Sequence, residues 1–227
     1  GFLLYICRRN MDKRNMSQKE RIAQQAMEMF VSQGIKAVRM DDIAQQLGVS
    51  KRTLYELFGD KEGLLHLAMQ CYFERHRQQW VEMTRDAKNV LEALFLVLGH
   101  VMDESETTCR ILENLRKFYP SVHRKLLQES YRQNNSELRR MLEQGIADGL
   151  FLDDIDVELA IAVFYHTATA FTGRTDFLLP EGIDRRSAFT QIVSTFFRGI
   201  ATGRGGEIIA ESLERWRENE KKETNHR

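Results

Sequence analysis

Apolar residues recur at helical spacing along nearly the whole chain. Between Gln18 and Gln33 they fall at Ile22, Ala23, Ala26, Met27 and Phe30, one face of an amphipathic helix that Gly34 stops. Ile43, Ala44 and Leu47 form a second stripe over about 41–47. Asp41 and Asp42 open it, because carboxylates suit the positive end of a helix dipole. Gly48 can adopt the left-handed conformation that ends a helix. Ser50 is a good N-cap for a third helix, Lys51 to about Phe58, which buries Leu54, Leu57 and Phe58. Gly59 and Asp60 close that helix and cap the next, which runs from Lys61 to about Thr84. Further helices are predicted over Asn89–Asp103 and Thr107–Phe118, then from a Ser121 cap to about Ala147. Two more follow, from Asp156 to about 172 and over Arg185–Thr202. The GRGG at 203–206 reads as a break before a charged final helix ending near Lys221. There is no sustained alternation and no hairpin signal, so the fold class is all-α.

The pattern over 41–58 is that of a helix-turn-helix unit, whose second helix lies in the DNA major groove. With its apolar stripe buried, the second helix leaves Lys51, Arg52, Thr53, Tyr55 and Glu56 outside. Lys51 and Arg52 sit in its first turn, where a recognition helix meets DNA. A cation there is slightly unfavourable to the helix alone. A phosphate or a guanine edge offsets that cost, and Arg52 can bond guanine O6 and N7 bidentately. Thr53 can bond a phosphate or touch a thymine methyl, Tyr55 has a hydroxyl at phosphate reach, and Lys61 can reach the same backbone.

The stretch GIKAVRMDDIAQQLGVSKRTLYELFGDKEGLL, with the helix before it, resembles the TetR family of transcriptional regulators over about residues 18–68. The resemblance implies an N-terminal three-helix DNA-binding domain and a larger C-terminal helical domain for ligand binding and dimerisation. It also implies DNA contacts from Arg39, Met40, Ser50, Lys51, Thr53, Tyr55 and Lys61. Many members have a hydroxyl residue where Met40 stands, so here only the backbone N–H can contribute. Arg52 replaces a frequent small residue and enlarges the base-reading surface, while Leu57 replaces a frequent His and reads as core. The expected domains are a basic arm over 1–16, a DNA-binding domain over 17–63, and a ligand-binding and dimerisation domain over 64–227.

Formal net charge is zero, so any affinity for DNA must come from a local positive patch. Residues 8–21 supply Arg8, Arg9, Lys13, Arg14, Lys19 and Arg21 against Asp12 and Glu20, an arm that tracks phosphates or stays a solvated tail. Cys7, Cys71 and Cys109 are too few and scattered for a disulfide framework, which fits a reducing cytoplasm. GFLLYIC is far too short to span a bilayer and reads as sequence upstream of a start at Met11 or Met16. No membrane partner is expected.

By the resemblance, a ligand pocket lies among the helices of residues 64–180, lined by apolar groups with a few polar ones. The candidates are Phe73, Trp80, Phe95, Cys109, Leu112, Phe118, Tyr131, Phe164 and His166. The helices at 121–147 and 156–172 are the natural homodimer surface, with Ala160, Ala162, Ala168 and Ala170 allowing close approach. Ile192, Val193, Phe196, Phe197 and Ile200 can share that role. The partners expected are double-stranded DNA, a small-molecule effector and a second copy of the chain. His100, His123 and His166 lack metal-ligand spacing, and no catalytic motif or cofactor site is found. The function read from the chain is a DNA-binding regulator, a repressor released by a small apolar or amphipathic ligand. The alternative is a DNA-bound protein of the same fold whose helical domain grips a protein partner.

Overall fold

A computed structural model of the chain describes residues 16–173 and 178–224. These form ten α-helices: α1 Gln18–Gln33, α2 Met40–Leu47, α3 Lys51–Phe58, α4 Lys61–Met83, α5 Val90–Asp103, α6 Ser105–Phe118, α7 Pro120–Ala147, α8 Val157–Gly173, α9 Arg185–Ile200 and α10 Gly203–Thr224. Among the described residues the only β pairing is an isolated bridge between Phe151 and Ala201. The fold is all-α.

The chain forms two compact units. The first takes the described residues up to Glu82 together with Thr107–Ser130, and the second takes Met83–Glu106 and the described residues from Tyr131 onward. In the first, Phe30, Ile35, Ile43, Leu54, Leu64, Leu65 and Met69 are fully buried, and Ile111, Leu115, Val122 and Leu126 join the same core. Burying each such side chain contributes about 1.5–3 kcal/mol. Helices as short as α2 and α3 have little stability alone, so they depend on this core. The second unit has its own core, which includes Leu91, Phe151, Phe171, Phe189, Phe197 and Ile209.

Local chemistry sets the helix ends. The Ser17 hydroxyl accepts from the Glu20 N–H while the Glu20 carboxylate accepts from the Ser17 N–H, a reciprocal cap on α1. Gly48 ends α2 in the left-handed region at φ 63°. Asn89, Asp156 and Asp184 accept backbone N–H bonds from Glu92, Leu159 and Ser187 and so start α5, α8 and α9.

Two expectations are corrected. Ser121 does not cap α7; the helix opens on Pro120, whose missing N–H costs nothing in a first turn. The Ser121 hydroxyl donates instead to Glu62 at 2.5 Å. The GRGG at 203–206 is not a break, because α10 begins at Gly203 and contains it. A Cβ on Gly205 would lie 2.1 Å from the Leu150 carbonyl oxygen, and one on Gly145 would lie 2.3 Å from the Phe151 ring. Both glycines are there to let the turn at 148–152 pack against its neighbours. At these positions glycine marks close approach, not a helix break.

Candidate nucleic-acid interface

The helix-turn-helix lies wholly in the first unit. Ser50 starts α3 with an extended backbone, and its hydroxyl accepts from the Thr53 N–H at 3.0 Å. The Thr53 and Ser50 hydroxyls also lie 2.7 Å apart, so both sit at the exposed N-terminal end of α3. Leu54 and Phe58 turn into the core and Leu57 packs half-buried against it. Lys51, Arg52, Tyr55 and Glu56 are thereby left on the outer face, Tyr55 with 43% of its surface exposed.

Most of the polar residues on this face are already engaged. The Lys51 ammonium lies 2.7 Å from Asp41 Oδ1 and donates to Oδ2 at 3.0 Å, which ties the start of α3 to that of α2. This bond and the Asp41 charge raise the Lys51 pKa above its ordinary value. Arg52 Nε donates to Glu56 Oε1 at 2.7 Å, one turn along the same helix. Arg39 is exposed just before α2, and its backbone N–H donates to Asp42 Oδ2 at 2.8 Å. The Met40 side chain is buried, so its backbone N–H is the group it can offer DNA.

Lys61 departs from the expectation of an ammonium free to reach phosphate. Its Nζ donates to the carbonyls of Ile35 at 2.6 Å and Val38 at 2.5 Å. It also lies 5.9 Å from the Phe30 ring centroid and 5.4 Å from that of Tyr119. Two of its three protons are spent on the loop between α1 and α2, and the side chain is half-buried. Lys61 thus holds that loop in place. On the same unit, Lys19 lies over the Phe58 ring at 5.5 Å and Lys36 over Phe118 at 4.9 Å. Arg8, Arg9, Lys13 and Arg14 of the basic arm lie outside the described residues.

The nine pocket candidates are divided between the two units. Phe73, Trp80, Cys109, Leu112 and Phe118 fall in the first unit, and Phe95, Tyr131, Phe164 and His166 in the second. Phe73 and Leu112 pack against the first unit's core, and Cys109 is buried. Phe95 meets Trp216 edge-on at 6.2 Å, Phe164 packs on Phe197 at 5.2 Å, and Tyr131 meets Tyr165 at 4.9 Å. His166 is exposed. Two cavities open on the first unit. One, of about 240 Å³, is lined by Met27, Val31 and Tyr72 between α1 and α4. The other, of about 380 Å³, is lined by Ser17, Phe58, His66 and Gln70. None of the nine candidates lines either one. Among the described residues no helix is long and apolar enough to cross a membrane.

Sequence reasoning passed over three residues. Glu56 was placed on the outer face but given no role, although its spacing of four from Arg52 was visible. Asp41 was read as a helix start, and its bond to a lysine ten residues later depends on the turn between the helices. Glu129 receives bonds from His66 and Gln70, both at 3.1 Å, across some sixty residues of chain, and no local pattern marks it.

A basic, hydroxyl-bearing recognition helix on a compact helical head defines a helix-turn-helix DNA-binding regulator. Residues 22–68 match the family model described as bacterial regulatory proteins, tetR family, so this segment has a DNA-binding domain of the TetR type. A curated relative, the HTH-type transcriptional repressor KstR2 of Rhodococcus jostii, is 28% identical over 150 residues, 63% of this chain and 72% of the relative. Among solved structures, a TetR-family transcriptional regulator from Marinobacter aquaeolei superposes with a TM-score of 0.61 at 20% identity, covering 88% of this chain and 99% of that one. The TetR-family regulator CifR, solved with a 26-base-pair operator duplex, superposes with a TM-score of 0.53 at 18% identity, covering 81% and 99%. These relatives are transcriptional regulators, not enzymes.

Proposed function

We propose that the chain is a homodimeric repressor that binds a pseudo-palindromic operator and is released from it by a small apolar or amphipathic ligand. The observation that carries the DNA half is the set of Lys51, Arg52, Thr53 and Tyr55 on the outward side of α3, with Lys51 tied to Asp41 at the start of α2, which the exposed Arg39 precedes. Lys51, Thr53 and Tyr55 anchor phosphates, Arg52 reads a base, and Ser50 and the Met40 N–H lie at the same end. Lys61 can spare a phosphate only its third proton. Sense of regulation follows the repressor relative, and such a protein works where the chromosome is, in the cytoplasm.

Dimerisation is supported by an exposed apolar stripe on α8, where Leu159 is 61% and Val163 44% exposed, and by Ile192 on α9, 42% exposed. Val193 and Phe197 are buried in the second unit's own core, which leaves them to intrachain packing. Two heads joined by two-fold symmetry read half-sites about one helical turn or somewhat more apart. Ligand then acts as a population shift, favouring a body conformation whose heads miss adjacent major grooves. The test is a titration of an operator duplex, by fluorescence anisotropy, against a panel of apolar and amphipathic molecules. Those that raise the melting temperature must weaken DNA binding, and DNA must weaken their binding by the same factor. Ligands that bind and leave duplex affinity unchanged would contradict release.

A further inference from the structure

Glu56 is the one carboxylate on the outer face of α3, the face offered to DNA, where an acid opposes every phosphate. We infer that Glu56 is a specificity-determining residue. It holds Arg52 for one guanine and, at the neighbouring position, requires the base on the strand it faces to be cytosine or adenine, the two that carry a major-groove amino group. The inference rests on the DNA-reading role proposed above.

The side chains of Arg52 and Glu56 are 87% and 60% exposed, and the bond between them is 2.7 Å long. An ion pair this exposed adds little to folding, so the fold gives no reason for it. Its effect is on orientation. With Nε engaged by Glu56, the two Nη groups form the free end of the guanidinium. That end-on pair of N–H donors is what guanine O6 and N7 accept. Fixing the arginine rotamer beforehand also lowers the entropy lost on binding.

The carboxylate adds a second constraint. Ionised, it only accepts. In the major groove only cytosine N4 and adenine N6 donate, whereas guanine and thymine turn acceptors toward it. Glu56 therefore selects against wrong sequences as well as for the right one, and it weakens the general attraction of α3 for phosphate.

The experiment is selection from a random duplex pool with the full chain, run side by side for wild type, Glu56→Ala and Glu56→Gln. Glu56→Ala is expected to keep the two-fold motif but flatten the preference at one base pair beside the guanine, by about 5- to 150-fold. It should also bind random duplex more tightly than wild type does. Glu56→Gln can donate as well as accept, so it should admit guanine or thymine at that position. Glu56→Ala returning the wild-type motif, with each position's preference unchanged, would overturn the inference and leave the DNA-reading role intact. A wild type that selects no motif would overturn both.

Discussion

Arg52 and Lys61 are both cations near the proposed DNA face, and the structure gives them different work. Arg52 has its guanidinium end free, so Arg52→Ala is expected to relax preference at a single base position by about 1–3 kcal/mol. Binding measured on single-site operator variants checks this, and uniform weakening across all of them would make Arg52 a phosphate contact. Lys61 is committed to the Ile35 and Val38 carbonyls. Lys61→Met removes two charge-assisted bonds and is expected to cost about 2–4 kcal/mol of unfolding free energy. The slope of log affinity against log salt should stay the same, whereas loss of a phosphate anchor would lower it by about one. At this scale the sequence showed which side chains face outward, because Leu54, Leu57 and Phe58 fix the inner face of α3. It could not show which of them were already paired. Asp41 and Lys51 meet only through the turn, and Lys61 meets Ile35 and Val38 only through the packing of α1 and α2 against α4.

The elements were more legible than the pairings. Helices α1, α3 and α4 start and stop at residues that local rules pick out, such as Ser17, Gly34, Ser50 and Asp60. Two readings differ from the structure: at Gly205 glycine serves packing inside a helix, and at Pro120 proline opens the helix that Ser121 was expected to cap. Gly205→Ala is accordingly expected to destabilise the second unit by about 1–3 kcal/mol or more, since the obstacle is the Leu150 backbone and not a mobile side chain. Urea unfolding measures it, and an unchanged midpoint would refute the close approach. Asp184 makes a pH-dependent contribution at the start of α9. The Ser187 hydroxyl and N–H hold its carboxyl below the usual range. Its stabilisation is complete above the unfolded value near 3.9 and is lost as pH falls through the lower folded value. The stability difference between wild type and Asp184→Ala is expected at about 0.5–2 kcal/mol near neutrality and should shrink below about pH 4. A difference that grows in acid would contradict that sign.

For the whole molecule the proposal is a dimer, and the exposed apolar stripe on α8 is where it can be broken. Leu159→Glu with Val163→Glu is expected to give monomers in sedimentation and to lose binding to a two-half-site duplex. A double variant that stays dimeric would move the interface elsewhere. The all-α architecture and the head were legible because helical periodicity and helix-turn-helix spacing are local. A ligand site is not legible in this way, because aromatics at helical spacing serve core and ligand site alike; Phe95, Phe118 and Phe164 all have intrachain neighbours.

The most direct test of the central claim is selection of bound duplexes from a random DNA pool by the purified wild-type protein at physiological salt. The result expected is a two-fold symmetric motif whose half-sites lie about one helical turn or somewhat more apart, with a guanine in each half. Recovery of no motif, with binding that falls steeply as salt rises, would mean attachment through phosphates alone and would contradict sequence-specific regulation by this head.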